Sequence, residues 1–140
     1  MKMLGIAFGF AICAFAAVAQ NPYTPKPGSA ERQAIMNTLR PPCERDVGQK
    51  VIFHVQHLKI IGDWALARVV PVRPDGSDLD YRKTKYREAN EEGTFDGEGE
   101  ALLRREKGNW KLLEWRFGAT DTEVPIWFAK FHAPSALAED

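Results

Sequence analysis

Two stretches of this chain share one pattern, and that pattern restricts what the chain can fold into. The segment A-L-L-R-R-E-K-G-N-W-K-L-L-E-W-R-F, Ala101 to Phe117, sets two apolar runs on either side of Lys107-Gly108-Asn109. Gly and Asn tolerate the positive φ that tight hairpin turns require, so the spacing predicts an antiparallel hairpin whose return strand Trp110 opens. A looser copy lies upstream, where V-I-F-H-V-Q-H-L-K-I-I leads into Gly62-Asp63-Trp64 and then A-L-A-R-V-V. Two such hairpins make one four-stranded sheet.

Within the first hairpin, Val51, Phe53 and Val55 alternate with Ile52, His54 and Gln56, the period of a strand with one buried face. The phase then slips: His57 takes an apolar slot, and Leu58 and Ile60 continue on the other parity. A slip of one residue is what a β-bulge produces. Trp64 to Val72 is apolar on both parities, as expected of a strand covered on both sides for part of its length. Arg73-Pro74-Asp75-Gly76 is a turn signal that ends it.

A helix precedes the sheet. Ser29 suits an N-cap and Glu31 the first turn, and Ile35, Leu39, Cys43 and Val47 recur every fourth residue to draw one apolar stripe from about Ala30 to Val47. Pro41-Pro42 predicts either a kink or two short helices sharing a face, and Gly48 suits the end. Cys43 lies on the stripe and reads either as a reactive or intermolecularly paired thiol or as a small buried hydrophobe.

At the front of the chain, Lys2 supplies a positive charge, Leu4 to Ala16 an apolar run and Ala17-Val18-Ala19 a small-residue cleavage pattern. Residues 1–19 are therefore expected to be a signal peptide cut before Gln20. The run is short for a membrane span, which needs about 20 apolar residues, so no stable anchor is expected after cleavage. Residues 20–28, Q-N-P-Y-T-P-K-P-G, read as a proline-rich lead-in, flexible or loosely draped. The remainder, 29–134, has the size of one domain, with 135–140 as a tail.

The chain holds 19 basic and 19 acidic residues, so removing Lys2 leaves 18 against 19. Neutrality argues against a nucleic-acid binder, which needs a surplus of cations to displace counterions from phosphates. Of the two cysteines, Cys13 and Cys43, only the second would survive cleavage, so no internal disulfide is expected in an oxidising compartment.

Ser77 to Gly97 is a polar connection of about 20 residues, long for a compact domain, and long ordered connections are often functional. A short helix near Tyr86–Glu92 fits inside it, stopped by Gly93. It carries the candidate binding surface, Tyr81, Arg82, Lys83, Lys85, Tyr86 and Arg87, where cations can grip anionic groups and rings can stack. The competing reading is a solvated loop whose cations pair with Glu88, Glu91 and Glu92. Beyond the second hairpin, Val124, Trp127, Phe128 and Phe131 fall at helical spacing, so Pro125 to His132 reads as a helix whose aromatic face either docks on the sheet or binds a partner.

His54 and His57 face opposite sides of a strand unless a bulge lies between them. Asp96, Glu98 and Glu100 would crowd one strand face, facing Arg104, Lys111 or Arg116, and Asp75, Asp78 and Asp80 form a second acidic group. Neither acidic group has calcium-loop spacing. No H-x-x-x-H, C-x-x-C or nucleophile elbow occurs. No catalytic set, metal or cofactor is expected from these residues.

The bulged first strand, G-D-W-A at 62–65 and R-R-E-K-G-N-W-K-L-L at 104–113 resemble the cystatin-like and nuclear-transport-factor-2-like class, in which a curved sheet wraps a long helix. The set L-R-P-P, V-G-Q-K-V-I-F, G-D-W-A, D-Y-R-K-T, A-L-L-R-R and G-A-T-D also looks like small exported bacterial proteins of unassigned activity, over roughly 31–134. The resemblance implies a fold and a periplasmic or secreted setting, and it carries over no catalytic residue. The expectation is an α+β domain, an N-terminal helix packed on a curved four-stranded antiparallel meander with a short C-terminal helix. Its expected function is a non-catalytic binding or interaction module that uses the 77–97 loop and the open sheet face toward an unknown partner, an envelope protein or a small ligand. The alternative is a small-ligand or enzymatic pocket in the cone between helix and sheet, with His54, Trp64, Trp115 and Asp121 as its residues.

Overall fold

The computed structural model describes residues 20–118 and 121–140, so the expected signal peptide, 1–19, lies outside the described residues. The fold is α+β: helix α1 (Ala30–Val47) packs on an open antiparallel sheet of β1 (Ile52–Ile61), β2 (Trp64–Val72), β3 (Gly99–Glu106) and β4 (Asn109–Phe117). The strands lie in chain order, as hairpin-connected strands should. A short helix α2 (Arg87–Glu91) lies in the connection between β2 and β3, and α3 (Val124–Phe131) follows the sheet.

Helix α1 is continuous through Pro41 and Pro42. Ser29 Oγ accepts from the Arg32 N–H at one end, and at the other the Gly48 N–H donates to the Glu44 carbonyl. The four-residue stripe is the buried face: Ile35, Leu39 and Cys43 are fully buried and Val47 nearly so. Ile35 and Leu39 meet Leu58, Ile60, Ala65, Ala67, Val69, Ala101 and Leu103 from the sheet in one core. Each large aliphatic side chain buried there stabilises the fold by about 1.5–3 kcal/mol.

The bulge expected in β1 is present between Val55 and His57. It lets Phe53 and Val55 before it, and Leu58 and Ile60 after it, face α1. A second bulge lies between β3 and β4, where Leu102 pairs with Glu114 but Leu103 pairs with Leu112. Trp110 and Leu112 therefore face α1 on one side of it, and Trp115 on the other. The turn between these strands is Lys107-Gly108, with φ of 50° and 79°, the left-handed pair that a two-residue hairpin demands.

The other sheet face is covered at one end only. Leu66 and Leu102 pack there with Val124, Trp127 and Leu137. The aromatic face of α3 thus docks on the sheet. The expected tail is structured instead: Ser135–Ala138 is a short 3-10 helix, and Leu137 is 0 % exposed. Its carbonyl accepts from His57 Nε2–H at 2.7 Å. The lead-in is also held, since Tyr23 and Ile60 exchange both backbone hydrogen bonds and Pro25 is buried. No helix among the described residues is long and apolar enough to cross a membrane.

Candidate functional site

The 77–97 connection is fastened to the end of α1 by two side chains that sequence reasoning missed. Gln49 mimics a strand partner, donating to the Asp80 carbonyl at 2.7 Å and accepting from the Asp80 N–H at 2.9 Å. Asp46 receives Lys85 Nζ at 3.3 Å, Tyr86 O–H at 3.4 Å and Trp115 Nε1–H at 3.2 Å. One carboxylate so joins α1, the connection and β4. A signal was present in the sequence: an acid in the last turn of a helix opposes the helix dipole, so Asp46 needs compensation from elsewhere.

The two tyrosines of the candidate surface turn inward. Tyr81 meets the Phe95 ring edge-on at a centroid separation of 4.7 Å, and Tyr86 stacks on Phe95 at 5.1 Å. Phe117 and Trp115, parallel at 6.1 Å, complete the cluster. Burial is the main cause that pushes the Tyr81 phenol up to about 12, so it stays neutral at any ordinary pH. A Cβ at Gly99 would overlap Trp115, and one at Gly118 (φ 74°) would overlap Phe95, so both positions admit the rings only because they are glycine.

The cations face outward. Arg82 makes a two-pronged bond to Asp80 at 2.9 and 2.7 Å, and this holds the Asp80 carboxyl well below the usual range. Lys85 pairs with Asp46 and Arg87 sits 4.0 Å from Glu91, while Lys83 has no ion pair among the described residues. The expected partners were Glu88, Glu91 and Glu92; only Glu91 serves. Nearby Asp46 and Asp80 win because their backbone positions are fixed by α1 and Gln49.

The four residues expected to share a cone pocket do not meet. His54 is exposed on the sheet face turned away from α1, paired across to Val70. Trp64 lies on that same face with Arg104 over its ring at 4.9 Å, and Asp121 is exposed ahead of α3. Only Trp115 faces α1, where it packs between two parts of the core. The β1 bulge does bring His54 and His57 to one face, but His57 is buried against Leu137. Among the described residues no group of three or more His, Cys, Asp or Glu could hold a metal.

The acidic groups disperse too. β3 begins at Gly99, so Asp96 and Glu98 are not on its face; Asp96 accepts from the Glu98 N–H, and Glu100 pairs with Arg68 at 3.4 Å. Arg116 pairs instead with Glu123, and Lys111 with Glu106 at 2.9 Å. Asp75 accepts from Ser77 in its own turn. Cys43 is the buried hydrophobe: burial first, then Asp46 and Glu44, push its thiol up to about 12, far from a reactive thiolate.

No known protein family, curated protein or solved structure matches this chain. Its function therefore rests on this geometry.

Proposed function

We propose that this protein is exported to the bacterial periplasm, where it serves as a non-catalytic interaction module that presents the Tyr81–Arg87 stretch of the 77–97 connection to an anionic face of an envelope protein. The resemblance to the cystatin-like and nuclear-transport-factor-2-like class belongs to the same proposal, supported by a helix lying on an open meander. The observation that carries the reading is the triple contact of Asp46 with Lys85, Tyr86 and Trp115. It fixes the backbone from which Arg82, Lys83, Lys85 and Arg87 project into solvent. A surface ordered before binding loses less conformational entropy on association, which favours recognition.

Native mass spectrometry of the protein from its own periplasm tests this. A complex with a second protein is expected, and Lys83→Glu combined with Arg87→Glu should abolish it while leaving thermal unfolding unchanged. Turnover of a metabolite panel at ordinary enzymatic rates, or a small-molecule adduct retained by the double variant, would overturn the reading.

A further inference from the structure

A second surface, lined by none of the four cations of the 77–97 connection, lies along the free edge of β1. In a strand the side chain's face and the sideways direction of its N–H and C=O alternate together. Ile60 faces α1 and turns its backbone outward to Tyr23. The residues of the same set, Phe53, Val55 and Leu58, therefore turn their backbone groups to the same edge. Val51 agrees, since its carbonyl accepts from Arg40 Nε at 3.3 Å and its N–H donates to Glu44 at 3.2 Å. The edge is thus closed at Val51 by α1 and at Ile60 by the lead-in. Between them, among the described residues, no backbone group from outside the sheet bonds to β1.

The open interval lies beside two adjoining clefts, about 260 and 300 Å³, that share Arg32 and Val55. Arg32, Met36 and Arg40 form one wall at helical spacing, Phe53 and Val55 the floor, and Lys59 the far end. None of these three cations forms an ion pair among the described residues, although Arg32 donates to the Pro25 carbonyl and Arg40 to Asn37 Oδ1. Asp140, at the end of the chain, is the one acid lining either cleft.

We infer that this edge accepts an extended acidic segment of a partner protein as an added strand. Backbone pairing to Phe53, Val55 and Leu58 supplies the general affinity, and the cations supply the selection. The spacing sets the pattern. Eight helical residues separate Arg32 from Arg40, about 12 Å at the helical rise, and four strand residues span about 13 Å. The guest therefore carries acidic residues at i and i+4, with an apolar residue at i+2 over Met36 and Val55. A second copy of this chain would set the same cations against each other, so charge selects an acidic partner strand over self-pairing.

The test uses the full protein and a fluorescein-labelled decapeptide with central Glu-Thr-Val-Thr-Glu, against the same peptide with Lys at both Glu positions. Anisotropy should show the Glu peptide binding at least about tenfold more tightly, and amide exchange should slow at Phe53, Val55 and Leu58. Arg40→Glu should weaken the Glu peptide by about tenfold or more, and a peptide carrying Lys at the second site should recover binding to that variant. Lys83→Glu, on the connection, should leave binding unchanged, which separates failure here from failure of the proposed platform. Equal binding of the two peptides, protection at other amides, loss through Lys83→Glu, or a peptide-free dimer that protects the same amides would each overturn the inference.

Discussion

The connection 77–97 and the chain's final segment, 121–140, both leave the sheet and fold back onto it, one at the end of α1 and the other on the opposite face. Directional contacts hold the first: an edge-on ring pair at 4.7 Å, three donors converging on Asp46, and Gln49 paired to the Asp80 backbone. Apolar area seats the second, through Val124, Trp127 and Leu137 set on Leu66 and Leu102, while the bond from His57 to the Leu137 carbonyl and the pairs Arg116–Glu123 and Lys130–Glu114 orient it. The connection buries Leu79 and three separate rings rather than one continuous apolar face, so the geometry of each contact positions it. An apolar terminal segment needs only a face to cover. The two should therefore fail under different insults.

Gly118→Ala should be the most damaging change to the connection. The new methyl would occupy the edge of the Phe95 ring, and the residue would keep a left-handed φ of 74°. Overpacking costs about 1–3 kcal/mol and the left-handed backbone about 1–2 kcal/mol, so urea unfolding should report a loss of about 4 kcal/mol. A loss below about 1 kcal/mol would mean that the ring cluster yields easily and does not position the connection. On the other side, Leu137→Ala removes a side chain that is 0 % exposed. It should cost about 3 kcal/mol, independent of salt, and speed amide exchange around His57 while leaving the ring cluster protected.

Alkaline pH should separate the segments without any mutation. Folding raises Cys43 from an ordinary 9.0 to about 12 and Tyr81 from 10.0 to about 12. Between those values the unfolded chain has released protons that the folded chain retains. The contribution of each neutral buried group is thus complete below its unfolded value and is lost as pH rises toward 12. For Cys43 the slope approaches about 1.4 kcal/mol per pH unit. Denaturation midpoints measured from pH 8 to 11 should fall in the native protein and fall less steeply in Cys43→Ala. Exchange at the connection should rise before exchange at α3, and a simultaneous rise would break the distinction.

How legible each region was follows from the same contrast. The α1 stripe, the β1 bulge and the Lys107-Gly108 turn are written in local spacing, and the structure has them where the spacing put them. The β4 bulge has the same written sign, since Trp110 and Leu112 sit on one parity and Trp115 and Phe117 on the other. It was hidden by the apolar pair Leu112-Leu113, which fits either phase. The connection was harder to read, because Tyr81, Tyr86 and Phe95 have no period and their partners Asp46, Trp115 and Phe117 lie far away in sequence. The packed end around Leu137 carried almost no signal, because four residues are too few to show a period.

The smallest expected effects bear most directly on what positions the connection. Asp46→Ala should leave Trp115 Nε1–H and Tyr86 O–H without an acceptor in partly buried surroundings, which costs about 2 kcal/mol. Lys85→Ala removes a pair whose lysine side chain is 65 % exposed and a loose contact 5.2 Å from the Tyr86 ring centre, and should cost no more than about 0.5 kcal/mol. High salt screens the exposed pair but not the two hydrogen bonds, so the gap between the variants should persist at about 0.5 M salt. A deficit in Asp46→Ala no larger than that of Lys85→Ala would leave the rings as the sole anchor. The connection would then differ from the C-terminal segment only in the shape of the side chains that hold it.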